Sequence, residues 1–69
     1  MDIQQQIGEK IRQLRKNRGY SQERFATKSK VHRTYMGLIE RGKANITVEQ
    51  IEKIAKALKI SVEEFFKGF

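Results

Sequence analysis

The sequence contains no cysteine, proline or tryptophan, and its only histidine is His32. Without cysteine there is no disulfide framework, no thiolate nucleophile and no zinc finger. One histidine cannot form a metal cluster, and Asp2, the only aspartate, gives it no convincing catalytic triad. We therefore expect no catalytic residue, no metal site and no cofactor, and we predict that the protein is not an enzyme.

Long hydrophobic runs are also missing. No apolar stretch approaches the ~18 residues of a membrane-spanning helix. The first residues, MDIQQQ, lack the basic and then apolar order of a signal peptide. We expect a cytoplasmic protein that associates with the nucleoid and has no membrane partner. The chain of 69 residues predicts one domain over 1–69.

Positive charge is concentrated in the first two-thirds of the chain. Residues 9–43 contain eleven lysines and arginines against three glutamates, whereas residues 44–69 contain four basic and four acidic residues. The formal net charge of +7 therefore belongs to one segment, which is expected to face an anionic partner.

Apolar residues recur at helical spacing, and no alternating strand pattern is present. On the first helix, Ile3, Ile7, Ile11 and Leu14 share one face. Capping residues precede the helices at Asp2, Ser21, Thr47 and Ser61. The prediction is an all-α domain of five helices, at 3–18, 22–29, 33–41, 48–58 and 62–67.

The second and third helices have the spacing of a helix-turn-helix. Counting from Gln22, this motif needs an apolar residue at position four, a small one at five, and apolar ones at ten, fifteen and eighteen. The chain supplies Phe25, Ala26, Val31, Met36 and Ile39. Ser29 and Lys30 depart from the usual pattern, and a left-handed Lys30 would cost about 1–2 kcal/mol.

A third helix in the major groove would present its first residues to base edges. Arg33 can form a bidentate contact with guanine, and Thr34 can hydrogen-bond a base or contact a thymine methyl. Tyr35 offers a ring for apolar contact and a hydroxyl for phosphate, and Leu38 offers an apolar contact. Phosphate contacts are expected to flank this helix, at Gln22, His32, Lys43, Asn45 and Thr47.

The stretch 20–58 resembles the helix-turn-helix family of the phage repressors and Cro. More narrowly, residues 32–42 (HRTYMGLIERG) followed by 45–47 (NIT) look like the controller proteins of restriction-modification systems. The resemblance implies that Arg33, Thr34 and Tyr35 read DNA, and that a glutamine at position 22 binds the backbone. It also implies a structural ion pair between Arg15 and Glu40.

Three phenylalanines, Phe65, Phe66 and Phe69, lie close together in the neutral C-terminal segment. Phe65 is the expected core residue, yet all three are assigned to a dimer interface within 60–69, because exposed aromatic residues in a neutral segment mark interfaces. The resemblance to controller proteins implies dimerisation through this end, and a homodimer would read two half-sites of a palindromic operator.

The leading hypothesis is a dimeric, sequence-specific transcriptional regulator that controls a restriction-modification system by concentration-dependent activation and repression. Activation would also require a contact with RNA polymerase, for which the sequence identifies no surface. One alternative is a general phage-type repressor or an antitoxin-like autoregulator with a protein partner. Another is a non-specific basic protein that binds RNA or anionic surfaces, although that would predict an apolar-poor third helix.

Overall fold

The structure, a computed structural model, describes residues 2–69. Its helices are α1 (Ile3–Asn17), α2 (Gln22–Ser29), α3 (Arg33–Glu40), α4 (Val48–Ala57) and α5 (Val62–Phe65). The described chain has no strand, which confirms the predicted all-α fold. None of these helices is long and apolar enough to cross a membrane, as judged over the same residues.

Side chains at the N-termini explain where the helices begin. Asp2 and Gln5 form a reciprocal capping box at α1, and Thr47 and Gln50 form another at α4. Each box satisfies backbone N–H groups that have no partner within the helix. The hydroxyls of Ser21 and Ser61 accept hydrogen bonds from the backbone of α2 and α5 in the same way.

The core forms where α1, α2, α3 and α4 meet, and α5 closes it against α4. The predicted apolar positions of the helix-turn-helix are all buried in it, namely Phe25, Ala26, Val31, Met36 and Ile39. Ile3 is the exception to the predicted inward face of α1, because its side chain remains 54% exposed. It lies in the first turn, beyond the end of the core.

The turn between α2 and α3 accommodates both departures from the motif. Lys30 has φ 60° and ψ 38°, so it takes the left-handed conformation usually given to glycine. Ser29 is buried, and its hydroxyl donates to the carbonyl oxygen of Phe25 at 2.7 Å. The serine therefore satisfies its own polar group locally, and the helix-turn-helix geometry is retained.

Gly8 sets how closely α1 approaches α3. A Cβ atom at this position would lie 2.3 Å from the carbonyl oxygen of Ile39 and 2.9 Å from that of Glu40. Both atoms belong to backbone and cannot move away without displacing the helix. The absence of a side chain at Gly8 thus lets α1 support the C-terminal end of α3 directly.

The C-terminal helix is shorter than predicted, and the burial of Phe65 corrects its assignment to the dimer interface. Helix α5 ends at Phe65, and a turn with Gly68 at φ 91° follows it. Phe65 is fully buried within its own chain, so its side chain has no surface to offer a second copy. Phe66 is half-buried and Phe69 is 45% exposed; these two rings pack edge to face with centroids 5.1 Å apart.

Candidate nucleic-acid interface

The first turn of α3 presents polar side chains to solvent while its other face is buried. His32 caps the helix, because its Nδ1 accepts a hydrogen bond from the backbone N–H of Thr34 at 3.2 Å. Arg33 and Thr34 are exposed, whereas Met36 and Ile39 lie in the core. The structure therefore places two of the predicted DNA-reading residues, Arg33 and Thr34, together on an exposed face of α3.

Arg33 has a partner that the sequence analysis missed. Its Nη1 donates to Oε2 of Glu23, in α2, at 2.8 Å. The side chains remain 68% and 69% exposed respectively. No periodic pattern connects these two residues, because their contact depends on the angle between α2 and α3.

The Arg15 and Glu40 side chains form a buried ion pair behind α3, at the positions given by the resemblance. Nε of Arg15 donates to Oε2 of Glu40 at 2.8 Å, and Nη2 donates to Oε1 at 3.0 Å. The remaining nitrogen, Nη1, donates to the backbone oxygen of Tyr20 at 2.8 Å. This bidentate pair joins α1 to α3 and to the segment that precedes α2, so it fixes the orientation of the helix-turn-helix.

Gln22 is attached to the same network. Its Nε2 donates to Oε1 of Glu40 at 3.2 Å, so its side chain lies against the ion pair in the free protein. An amide nitrogen has two protons to donate, so Nε2 can keep Glu40 with one and offer the other to a phosphate. The backbone N–H groups at the start of α2 offer a second means of binding an anion at Gln22.

Tyr35 differs from its predicted role. Its hydroxyl donates to the backbone oxygen of Asn45 at 2.6 Å and lies 3.1 Å from Oε1 of Gln50. A tyrosine hydroxyl has one proton to donate, so in this arrangement it is not a phosphate donor. In the free protein the Tyr35 hydroxyl is therefore engaged within its own chain and not with a phosphate: it ties the loop between α3 and α4 to α3.

That loop carries the remaining predicted phosphate ligands. Lys43, Asn45 and Thr47 are all exposed along it. The Asn45 side-chain oxygen accepts a hydrogen bond from the amide of Gln4, in α1, which leaves the Asn45 amide nitrogen as the group suited to a phosphate. The hydroxyl oxygen of Thr47 accepts from the N–H of Gln50 at 3.1 Å, and its proton remains available for donation.

Leu38 is half-buried on the side of α3 that follows Thr34 by one turn. Its exposed portion adds an apolar element to a surface that is otherwise polar. His32, Arg33, Thr34 and Leu38 thus belong to one helix end, while the loop residues and Gln22 lie on neighbouring elements. The sequence carried no signal for most of the residues that position these side chains, namely Gln4, Gly8 and Glu23. Gln50 was marked only by its capping box.

Comparisons with known proteins also identify a helix-turn-helix protein. The helix-turn-helix family profile matches residues 11–65. The control protein C.MunI from Mycoplasma sp is 41% identical over 66 residues, which cover 94% of this chain and 89% of that protein.

Two solved structures have the same fold. The restriction-modification controller protein C.AhdI from Aeromonas hydrophila is 40% identical, with a TM-score of 0.87 over 91% of this chain and 96% of its own. SinR, the master regulator for biofilm formation, solved in complex with DNA, is 35% identical, with a TM-score of 0.81 over 88% and 98% of the two chains. This chain belongs to the helix-turn-helix family and, within it, to the control proteins of restriction-modification systems.

Proposed function

We propose that the protein is a sequence-specific regulator of transcription that controls the genes of a restriction-modification system. The observation that carries this proposal is the first turn of α3, where Arg33 and Thr34 are exposed on a helix whose opposite face is fixed in the core. The similarity to controller proteins supports the same function. It favours this role over a general repressor or an antitoxin-like autoregulator.

Sequence is read by the exposed side chains of α3. Arg33 supplies two parallel N–H donors for O6 and N7 of guanine, which is the commonest specific contact in the major groove. Thr34 hydrogen-bonds a base or contacts a thymine methyl, and Leu38 adds an apolar contact one turn further on. The ring of Tyr35 is available for an apolar contact with DNA, while its hydroxyl remains hydrogen-bonded to Asn45.

Affinity comes from the phosphate backbone on both sides of the groove. The loop that follows α3 supplies Lys43, Asn45 and Thr47, and the start of α2 supplies Gln22. His32 lies at the cap of α3, where its exposed ring is close to the groove entrance. These contacts fix the register of α3 without reading sequence, and the basic segment makes the affinity dependent on salt.

The active form is a homodimer that binds a palindromic operator. Phe66 and Phe69 are the aromatic residues left at the surface of the neutral C-terminal segment, which we assign to the interface together with part of α4. A two-fold dimer places two copies of α3 one helical turn of DNA apart, about 34 Å. Residues 60–69 therefore serve assembly, while the basic segment serves DNA binding.

Regulation follows from protein concentration. At low concentration the dimer occupies its strongest operator and activates transcription through a contact with RNA polymerase. As the protein accumulates, it fills a weaker operator and represses its own expression. The protein works in the cytoplasm, on the DNA of the nucleoid.

Selection from a library of randomised DNA duplexes tests this function. The wild-type protein is expected to enrich one palindromic sequence, and Arg33→Ala is expected to enrich it weakly or with one base position relaxed. Binding of the selected duplex should survive an excess of random DNA. Equal retention of every duplex by the wild-type protein would contradict the proposal and support non-specific binding instead.

A further inference from the structure

The ion pair between Arg33 and Glu23 connects the helix that reads DNA to the helix that precedes it. Glu23 is the second residue of α2 and Arg33 is the first residue of α3. The contact joins Nη1 of Arg33 to Oε2 of Glu23 at 2.8 Å. It crosses the turn of the motif on the side where the groove of the DNA is proposed to lie.

Stability does not account for this pair. More than two-thirds of each side chain is exposed, and ion pairs of this kind contribute little or nothing to folding. A glutamate in the first turn does complement the positive end of a helix. Glu49 fills the equivalent second position of α4 and is also exposed, so it provides a comparison for that effect alone.

Close to DNA, the Glu23 carboxylate has an electrostatic cost. Its negative charge opposes the approach of the phosphate backbone, which supplies most non-specific affinity. A carboxylate beside the main base-reading arginine therefore lowers the affinity for every DNA sequence. Only an effect specific to the operator, such as positioning the arginine for a base, would offset this loss.

We infer that Glu23 is a specificity-determining residue that positions the guanidinium of Arg33; this rests on the proposed function, in which Arg33 reads a guanine. Because Glu23 occupies Nη1, the edge formed by Nε and Nη2 stays free. That edge carries two parallel donors, and Arg15 uses the same edge to bind both oxygens of Glu40. Glu23 thus leaves Arg33 with the fork that matches O6 and N7 of guanine.

The same contact keeps Arg33 away from phosphates. An unrestrained arginine at the edge of the groove can turn to the backbone of any sequence. Glu23 opposes that alternative, because a phosphate would have to replace it at Nη1 and lie near its charge. The carboxylate therefore increases the difference in affinity between the operator and random DNA.

The test measures the dissociation constants of the intact protein for its selected duplex and for a random duplex. Glu23→Gln is expected to lower the ratio of the two affinities about tenfold, which is the size of one charge-assisted hydrogen bond. It should also steepen the salt dependence of random-DNA binding by about one phosphate contact. Glu49→Gln changes the net charge equally and should leave the ratio unchanged.

A second pair of variants isolates the role of Arg33. In protein that already carries Arg33→Ala, Glu23→Gln should no longer change the affinity ratio, because the group that it positions is gone. The urea midpoint of Glu23→Gln should match that of Glu49→Gln, which loses the same charge from the first turn of a helix; this separates positioning from folding.

Two results would overturn the inference: equal changes in the ratio for Glu23→Gln and Glu49→Gln, or an effect of Glu23→Gln that persists without Arg33. The proposed function fails separately, if Arg33→Ala itself leaves the ratio intact. If Arg33→Ala lowers the ratio and Glu23→Gln does not, Arg33 reads a base without the help of Glu23.

Discussion

Arg15 and Glu40 lie 25 residues apart in the chain and form a bidentate, buried ion pair between α1 and α3. Only 9% of the arginine side chain and 3% of the glutamate side chain are exposed. Because the third guanidinium nitrogen binds the backbone oxygen of Tyr20, the arginine has a partner for every nitrogen. The pair determines the orientation in which α3 is presented.

Glu40→Ala should strongly destabilise the fold. It leaves the Arg15 charge buried without its partner, and the loss of one member of a buried pair costs about 3–5 kcal/mol. A single small domain supplies about that much stability in total, so we expect a largely unfolded chain by far-UV circular dichroism. Arg33→Ala, which breaks the exposed pair with Glu23, should change the free energy of unfolding by at most about 1 kcal/mol. A cooperative urea transition for Glu40→Ala near that of the wild type would contradict this prediction.

Gly8→Ala should separate α1 from α3. The added Cβ would meet the carbonyl oxygen of Ile39 at 2.3 Å, and such overpacking lowers the free energy of unfolding by about 1–3 kcal/mol or more. Gly37→Ala is the matched control, because the nearest atoms to its Cβ are ends of flexible side chains at 3.4 Å and beyond. It should stay within about 1 kcal/mol of the wild type. Similar urea midpoints for the two variants would contradict this prediction, because they would mean that α1 moves away from α3 without loss of stability.

Tyr35→Phe should weaken the loop between α3 and α4 without changing sequence preference. The variant loses the hydrogen bond to the backbone oxygen of Asn45, with an expected cost of about 1 kcal/mol in unfolding free energy. Because that loop holds the proposed phosphate ligands, affinity should fall by a similar factor for the operator and for random DNA. Titrations with both duplexes check this, and a loss confined to the operator would assign base reading to the hydroxyl.

Arg33→Ala and Lys43→Ala should differ in what they change. Arg33→Ala is expected to cost about 1–3 kcal/mol of operator binding and to relax the preference at one base position. Lys43→Ala should weaken binding to all sequences alike and reduce the salt slope by about one. Dissociation constants at several salt concentrations distinguish them. Equal losses by Arg33→Ala on operator and random duplexes would rule out its role in base reading.

Replacing both Phe66 and Phe69 by serine should abolish dimerisation and leave the monomer folded. Phe65, which belongs to the core, is unchanged in this variant. Sedimentation at micromolar protein should give a dimer mass for the wild type and a monomer mass for the variant. Ile3→Ser removes a residue of comparable exposure outside the aromatic cluster and should leave the dimer intact. A concentration-independent monomer mass for the wild type would contradict the assigned interface.

The sequence alone determined the number and order of the helices and most of the core. The spacing of apolar residues and the capping side chains are local properties of the sequence. Asp2, Ser21 and Thr47 therefore marked the helix starts correctly, and the fixed spacing from Phe25 to Ile39 defined the motif. The exposure of Arg33 and Thr34 followed from that register. The sequence marked Lys30 as a departure from the motif, and the structure shows that it takes the left-handed conformation.

Tertiary structure decided the features that depend on how the helices cross. The 2.3 Å distance at Gly8, the contact between Glu23 and Arg33, and the engagement of the Tyr35 hydroxyl with Asn45 each join elements whose relative positions no periodicity encodes. The early end of α5 likewise separated Phe65, in the core, from Phe66 and Phe69. The absence of cysteine excluded disulfides and thiolate chemistry, and the basic segment indicated an anionic partner, because both follow from composition alone. The geometry of side-chain partners required the folded chain, since it arises from long-range packing.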